Sequence, residues 1–212
     1  PVPASHAMTA QPLIHVVDDD DSLRSALQRL LAAAGYRVKT YASAGEFLLD
    51  PPGDAPGCLL LDLRMPGPSG LDLQEARARH GIRLPVSFLS GHGDLATGVR
   101  AMKAGAVDFL SKPVEREPPL AAVARALERD AAQRAARGVD RDLQDRYAQL
   151  TAREREVFEL VVAGRLNKQI ADVLGIAERT VKAQRAQVMA KLGAATAAEL
   201  GRIAAQLRGR GG

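Results

Sequence analysis

Five side chains stand where short apolar runs give way to polar sequence: Asp18 and Asp19 after LIHVV, Asp62 closing GCLLLD, Ser90 closing LPVSFLS, and Lys112 after AVDFLS. If those runs are parallel strands of one sheet, all five side chains converge on the crevice beyond the carboxyl ends, where open α/β sheets bind ligands. Three carboxylates gathered there repel one another unless a cation neutralises them, and hard oxygen ligands with room for water suit Mg²⁺. A carboxylate in such a place can accept a phosphoryl group, given the metal, a hydroxyl or backbone donor, and an ammonium to hold the transferring oxygens. Taken singly, Asp62 is an ordinary turn residue, Ser90 a cap and Lys112 a solvated charge. The chemistry rests on the set.

The elements that must position these residues follow from periodicity. From residue 13 the chain alternates runs of four to six apolar or β-branched residues with longer amphipathic segments: LIHVV then SLRSALQRLLAAAG, YRVKTY then AGEFLL, GCLLLDL then GLDLQEARARHG, LPVSFLS then DLATGVRAMKAG, and AVDFL then a helix from near Pro118. Five strand–helix pairs predict a doubly wound parallel sheet with right-handed crossovers. The helix after Pro118 and Pro119 has a stop signal at Gly138, and residues 140–150 read as a further short helix. Thr151 and Glu154 form a capping box that opens the next helix. Beyond residue 113 no strand signal appears, and the pattern is helical to the end. The expected organisation is a tail at 1–11 whose start is a cloning remnant, an α/β domain at 12–127, a helical linker at 128–148 and an all-α domain at 149–212.

The motifs VVDDD at 16–20, LLLDLRMPGPSG at 59–70, FLSGHGD at 88–94 and DFLSKP at 108–113, found in this order, resemble the response-regulator receiver family, which has a flavodoxin-like (βα)5 fold. The resemblance implies that Asp62 is the phosphoacceptor and that Asp18 and Asp19 hold Mg²⁺ together with Asp62 and the backbone carbonyl of Arg64. It also implies that the Ser90 hydroxyl moves onto the phosphoryl group with Lys112 as counter-charge. Phe109 occupies the aromatic switch position, where the family often has Tyr, so only the packing half of that switch can operate. A cis Lys112–Pro113 bond is usual in the family. Asp20 and Asp21 extend the acidic run and read as helix N-terminal charges.

In the C-terminal segment, a helix, a turn at Gly175 and a second helix have the anatomy of a helix-turn-helix. Val181, Val188 and Leu192 form the stripe that the second helix buries, leaving Arg179, Lys182, Ala183 and Ala186 facing outward. LTAREREVFELVVAGRLNKQIADVLGIAERTVKAQRAQVMAKLG is similar to the four-helix DNA-binding domain of the LuxR/NarL class, and the combination of domains looks most like its FixJ-type subgroup. That similarity makes Arg179, Lys182 and Gln184 candidates for base edges in the major groove. It makes Lys168, Thr180, Arg185 and Lys191 candidates for phosphates. The sequence departs from the class at Ala177, where Ser or Thr usually caps the recognition helix, at Gln184, which replaces a frequent His, and at Ala186, which offers no long side chain.

Charge supports this division. The net charge of +4 divides into −2 over residues 1–117, +1 over 118–149 and +5 over 150–212, so the basic character lies in the C-terminal third, which suggests a reader of nucleic acid there. No apolar run reaches the roughly 18 residues of a membrane span and no secretory signal is visible, which predicts a cytoplasmic protein. The single cysteine, Cys58, reads as an inert buried thiol, and His6, His15, His80 and His92 have no ligand spacing. The expected partners are a sensor histidine kinase, promoter duplex DNA, RNA polymerase and, on phosphorylation, a second copy of the chain. One rival is a phosphohydrolase of the haloacid-dehalogenase type, but that family places a second Asp two residues after its nucleophile, where this chain has Arg64. Another is a receiver whose helical module binds RNA or a protein.

Overall fold

The computed structural model describes residues 11–91 and 95–209; His6, His92 and the tail at 1–10 lie outside them. Five strands, β1 (Leu13–Val17), β2 (Arg37–Tyr41), β3 (Gly57–Asp62), β4 (Val86–Ser90) and β5 (Asp108–Ser111), form one sheet in the order β2-β1-β3-β4-β5. All neighbours pair in parallel. Helices α1 (Asp21–Ala33), α2 (Ala44–Leu49), α3 (Gly70–Arg79) and α4 (Leu95–Lys103) supply the four crossovers, and α5 (Glu117–Ala148) follows the last strand. This is the doubly wound sheet that the alternation of apolar runs and amphipathic segments predicts.

Two apolar layers hold the sheet, and the two-residue period of a strand sorts its side chains between them. Ile14, Val16, Cys58 and Leu60 face Leu27 and Leu31 of α1 and Ala122, Val123 and Ala126 of α5. Val17, Leu59 and Leu61 face Phe47 of α2, Leu73 of α3 and Ala101 of α4. Every residue of β3 and β4 is buried, which is why these strands read as nearly continuous apolar runs broken only by Ser87 before their polar ends, whereas edge strand β2 exposes Arg37 and Lys39. Cys58 is fully buried, and burial pushes its thiol up to about 12. The layers leave the strand-end residues on loops at one rim.

The chain divides into two compact units, one ending at Arg134 and the other beginning at Ala135. Helix α5 runs without a break through Gly138, so neither the stop at Gly138 nor a separate helix at 140–150 is present. Glycine costs a helix about 1 kcal/mol. Here it is flanked by Arg137 and Val139, is followed by no proline, and lies in a helix that carries an i,i+4 pair between Arg146 and Asp142. The second unit adds α6 (Ala152–Val162), α7 (Asn167–Leu174), α8 (Glu178–Leu192) and α9 (Ala197–Arg208) around a core of Phe158, Ile170, Val181, Val188 and Leu200. Gly175, with φ of 64°, supplies the left-handed residue that turns α7 toward α8.

Candidate functional site

Two neighbouring strand ends bring the acidic residues together. Asp18 and Asp19 follow β1, Asp62 ends β3, and one carboxylate oxygen from each lies within 4.8 Å of the others, the only such cluster among the described residues. Asp18 and Asp62 are buried while Asp19 is exposed. The Lys112 ammonium reaches between them, 2.8 Å from Asp18 Oδ2 and 2.9 Å from Asp62 Oδ2. Its backbone is held too, because the Lys112 amide donates to the Ser90 carbonyl at 2.6 Å; the Lys112–Pro113 bond is cis. Ser90 is buried at the end of β4, its hydroxyl donating to the Gly91 carbonyl at 3.1 Å.

Local bonds hold the two buried carboxylates, the Arg64 amide donating to Asp62 Oδ1 at 3.3 Å. The Asp20 amide donates to Asp18 Oδ1 at 2.9 Å, and Asp20 itself caps α1 by accepting from the amides of Ser22 and Leu23. Asp20 and Asp21 therefore serve the helix terminus. Arg24 pairs with Asp21 and donates to the Asp18 carbonyl, a brace that the sequence motifs did not reveal. Behind Asp62, α3 begins at Gly70, where a Cβ would fall 2.2 Å from the Asp62 carbonyl oxygen. Glycine is needed there because no side chain fits between the helix start and the acceptor's backbone. Ser69 and Asp72 close a capping box on the same turn.

Burial pushes the Asp62 carboxyl above its ordinary value and the neighbouring Asp18 adds to this, while the hydrogen bond from Lys112 works the other way. Burial alone would lower Lys112, but its bonds to Asp18 and Asp62 more than reverse that and leave it raised. Three carboxylates against one ammonium leave a net negative pocket of oxygen ligands. A hard divalent cation fits this donor set in type and charge. Phe109, on β5, lies partly buried against the core beside α4.

In the second unit, Arg179, Thr180 and Lys182 are exposed on the first turns of α8, and Lys168 is exposed on α7. Ala177 stands at the N-cap of α8 without a side-chain bond. The remaining candidates are half-buried or paired within the domain. Arg185 donates to Asn167 Oδ1 at 3.1 Å, Gln184 is half-buried with its Oε1 shielded from solvent, and Lys191 pairs with Glu154 at 2.7 Å and with the Gln149 carbonyl at 3.2 Å. Lys191 thus has partners within the domain. Glu154 is the N3 carboxylate of the α6 capping box, so the lysine joins the end of α8 to the start of α6. No spacing rule could have paired residues 37 apart.

Comparison with known proteins supplies the rest. Residues 14–124 match the family described as the response regulator receiver domain, and residues 148–204 match bacterial regulatory proteins of the luxR family. Nodulation protein W of Bradyrhizobium diazoefficiens is 44% identical over 199 residues, covering 94% of this chain and 88% of that protein. The transcriptional regulatory protein FixJ of Azorhizobium caulinodans is 44% identical over 192 residues, 90% of each chain. Among solved structures, the response regulator StyR is 44% identical with a TM-score of 0.80, covering 92% of this chain and 98% of that one. Full-length FixJ from B. japonicum is 38% identical with a TM-score of 0.58, over 93% and 98%.

Proposed function

The chain belongs to the response regulators of the LuxR/NarL class, phosphorylation-dependent regulators of transcription, and from that membership we propose that Asp62 is its phosphoacceptor. The observation that carries this reading is the Lys112 ammonium within 3 Å of Asp18 and Asp62 at the rim where the strand ends meet. An Asp62 oxygen attacks the phosphorus of a phosphohistidine on a sensor kinase, the P–N bond breaks, and the imidazole leaves with its electron pair. The product is an acyl phosphate on Asp62. Lys112 holds the transferred oxygens by charge, and the Ser90 hydroxyl turns from the Gly91 carbonyl to donate to one of them. Asp18, Asp19, Asp62 and the Arg64 carbonyl would hold Mg²⁺. When bound, the ion neutralises charge on the phosphoryl oxygens.

The domains that carry out these steps are a receiver at 12–127, a helical linker at 128–148 and a DNA reader at 149–212. In the reader, Arg179 and Lys182 take base edges, with Gln184 joining them if its amide turns outward. Lys168, Thr180 and Lys191 take phosphates, and Arg185 does so while braced on Asn167. Phosphorylation promotes pairing of two copies on two half-sites. Promoter DNA, the kinase and RNA polymerase are the partners, in the cytoplasm; among the described residues no helix is long and apolar enough to cross a membrane.

Incubating wild type and Asp62→Asn with labelled acetyl phosphate and Mg²⁺ tests the assignment. Label should enter wild type alone and stay out when the metal is chelated; equal incorporation in both proteins would overturn it. A phosphohydrolase would turn over phosphate esters, which we expect to be absent, since Arg64 stands where such an enzyme keeps its acid/base carboxylate.

A further inference from the structure

Gly98 lies in the interior of α4, and nothing about the helix calls for it. Its φ is not positive, it is neither a cap nor a turn, and glycine is the poorest helix former after proline. What it touches supplies the reason. A Cβ at this position would fall 2.9 Å from Cζ, 3.0 Å from Cε2 and 3.2 Å from Cε1 of Phe109. All three atoms belong to the leading edge of one aromatic ring, so the tip of Phe109 rests directly on the α4 backbone. The ring is rigid and packed against the core of its own unit, so it cannot yield at its end as a lysine or methionine would. Only rotation about its first side-chain bond, or movement of α4, could make room for a larger residue.

We propose that Gly98 is a positioning residue for Phe109: by leaving out a side chain it opens a seat on α4 in which the ring can lie, giving the switch one of its two positions. The proposal rests on the reading of Phe109 as the aromatic that responds to phosphorylation. Phe109 carries no hydroxyl, so hydrogen bonding cannot hold its ring, and shape decides where it lies. Its strand pairs directly with the strand that ends at Ser90, with Phe88 opposite Phe109 and Ser90 opposite Ser111. Phosphorylation read by Ser90 and the packing of α4 therefore meet at this ring. A methyl group at position 98 removes the seat in every state of the protein. With one of its two positions gone, the ring cannot distinguish the states, and the amplitude of switching falls.

The experiment uses the full chain and a duplex selected from a random pool by phosphorylated wild type. The quantity read is the ratio of its affinities with and without acetyl phosphate and Mg²⁺. We expect Gly98→Ala to lower that ratio at least fivefold, and to lower it no further in a Phe109→Ala background. In the NMR spectrum, the proximity signal between the Phe109 ring and the α-protons of Gly98 should be present in wild type, and its counterpart lost in Gly98→Ala. An unchanged ratio with wild type still responsive would overturn the seat alone, as would the same loss in both backgrounds, which marks a general effect on the helix. A wild-type ratio of one would remove the switch reading and the proposal together, whereas label entering Asp62 in that case would leave the acceptor assignment standing.

Discussion

At Asp62 the protein holds a carboxylate where burial and Asp18 oppose its charge and one ammonium supports it. Because the folded carboxyl is raised above its unfolded value, its charge works against folding, an effect that appears as pH climbs through the carboxylate range. In metal-free buffer near neutrality, Asp62→Asn should therefore melt above wild type, with the gap closing below about pH 4, the ordinary Asp value. Mg²⁺ should raise the wild-type melting point, by about 2.7 kcal/mol of stability at a hundredfold excess over Kd, and raise Asp62→Asn less. His15 titrates with the opposite sign. Burial lowers it to about 4, with Lys39 adding to this, and its Nδ1 lies 3.0 Å from the Tyr41 hydroxyl. Its contribution is present above about pH 6.5, the unfolded His value, and lost as pH falls toward about 4, up to about 3 kcal/mol in all. Urea titrations across that window should show the loss, and it should be absent in His15→Gln. These residues differ in how legible they were. The strand-end carboxylates stood out because a polar residue closing an apolar run is conspicuous, whereas the His15–Tyr41 contact depends on how β1 and β2 pair.

At the scale of elements, local rules carried further than tertiary ties. Alternation of apolar runs and amphipathic segments fixed five strands and their crossovers, and Thr151 with Glu154 marked a real capping box. The break at Gly138 failed because a helix rich in Ala and Arg tolerates one glycine. Gly138→Ala meets nothing within 4 Å, so it should stabilise the protein by up to about 1 kcal/mol and raise its helical circular dichroism. A loss of stability would instead mark a strained or bent helix there. Ala177 holds the extended N-cap conformation without a side-chain acceptor, so Ala177→Ser should add about 1 kcal/mol to the C-terminal unit in thermal unfolding. Lys191 shows the limit of such rules. Its charge and place on α8 suggested a phosphate contact but gave no sign of the α6 carboxylate within hydrogen-bond reach.

For the whole molecule, an acidic site in a nearly neutral unit and a surplus of positive charge in the C-terminal third were readable from composition, and they separate the two tasks of the chain. Which base each side chain meets was not readable, because the exposure of α8 side chains depends on packing that no periodicity records. Exposed Lys182, whose pair with Glu178 at 3.6 Å contributes little, is the residue to test. Lys182→Ala should weaken binding to the selected duplex and alter its base preference, whereas Lys168→Ala should weaken all duplexes alike and reduce the salt slope by about one. The most direct measurement of the central claim is the affinity of full-length wild type and Asp62→Asn for that duplex, by fluorescence anisotropy, with and without acetyl phosphate and Mg²⁺. Wild type should bind at least about fivefold tighter when phosphorylated, and Asp62→Asn should not respond; equal tightening in both proteins, or none in wild type, would contradict the account.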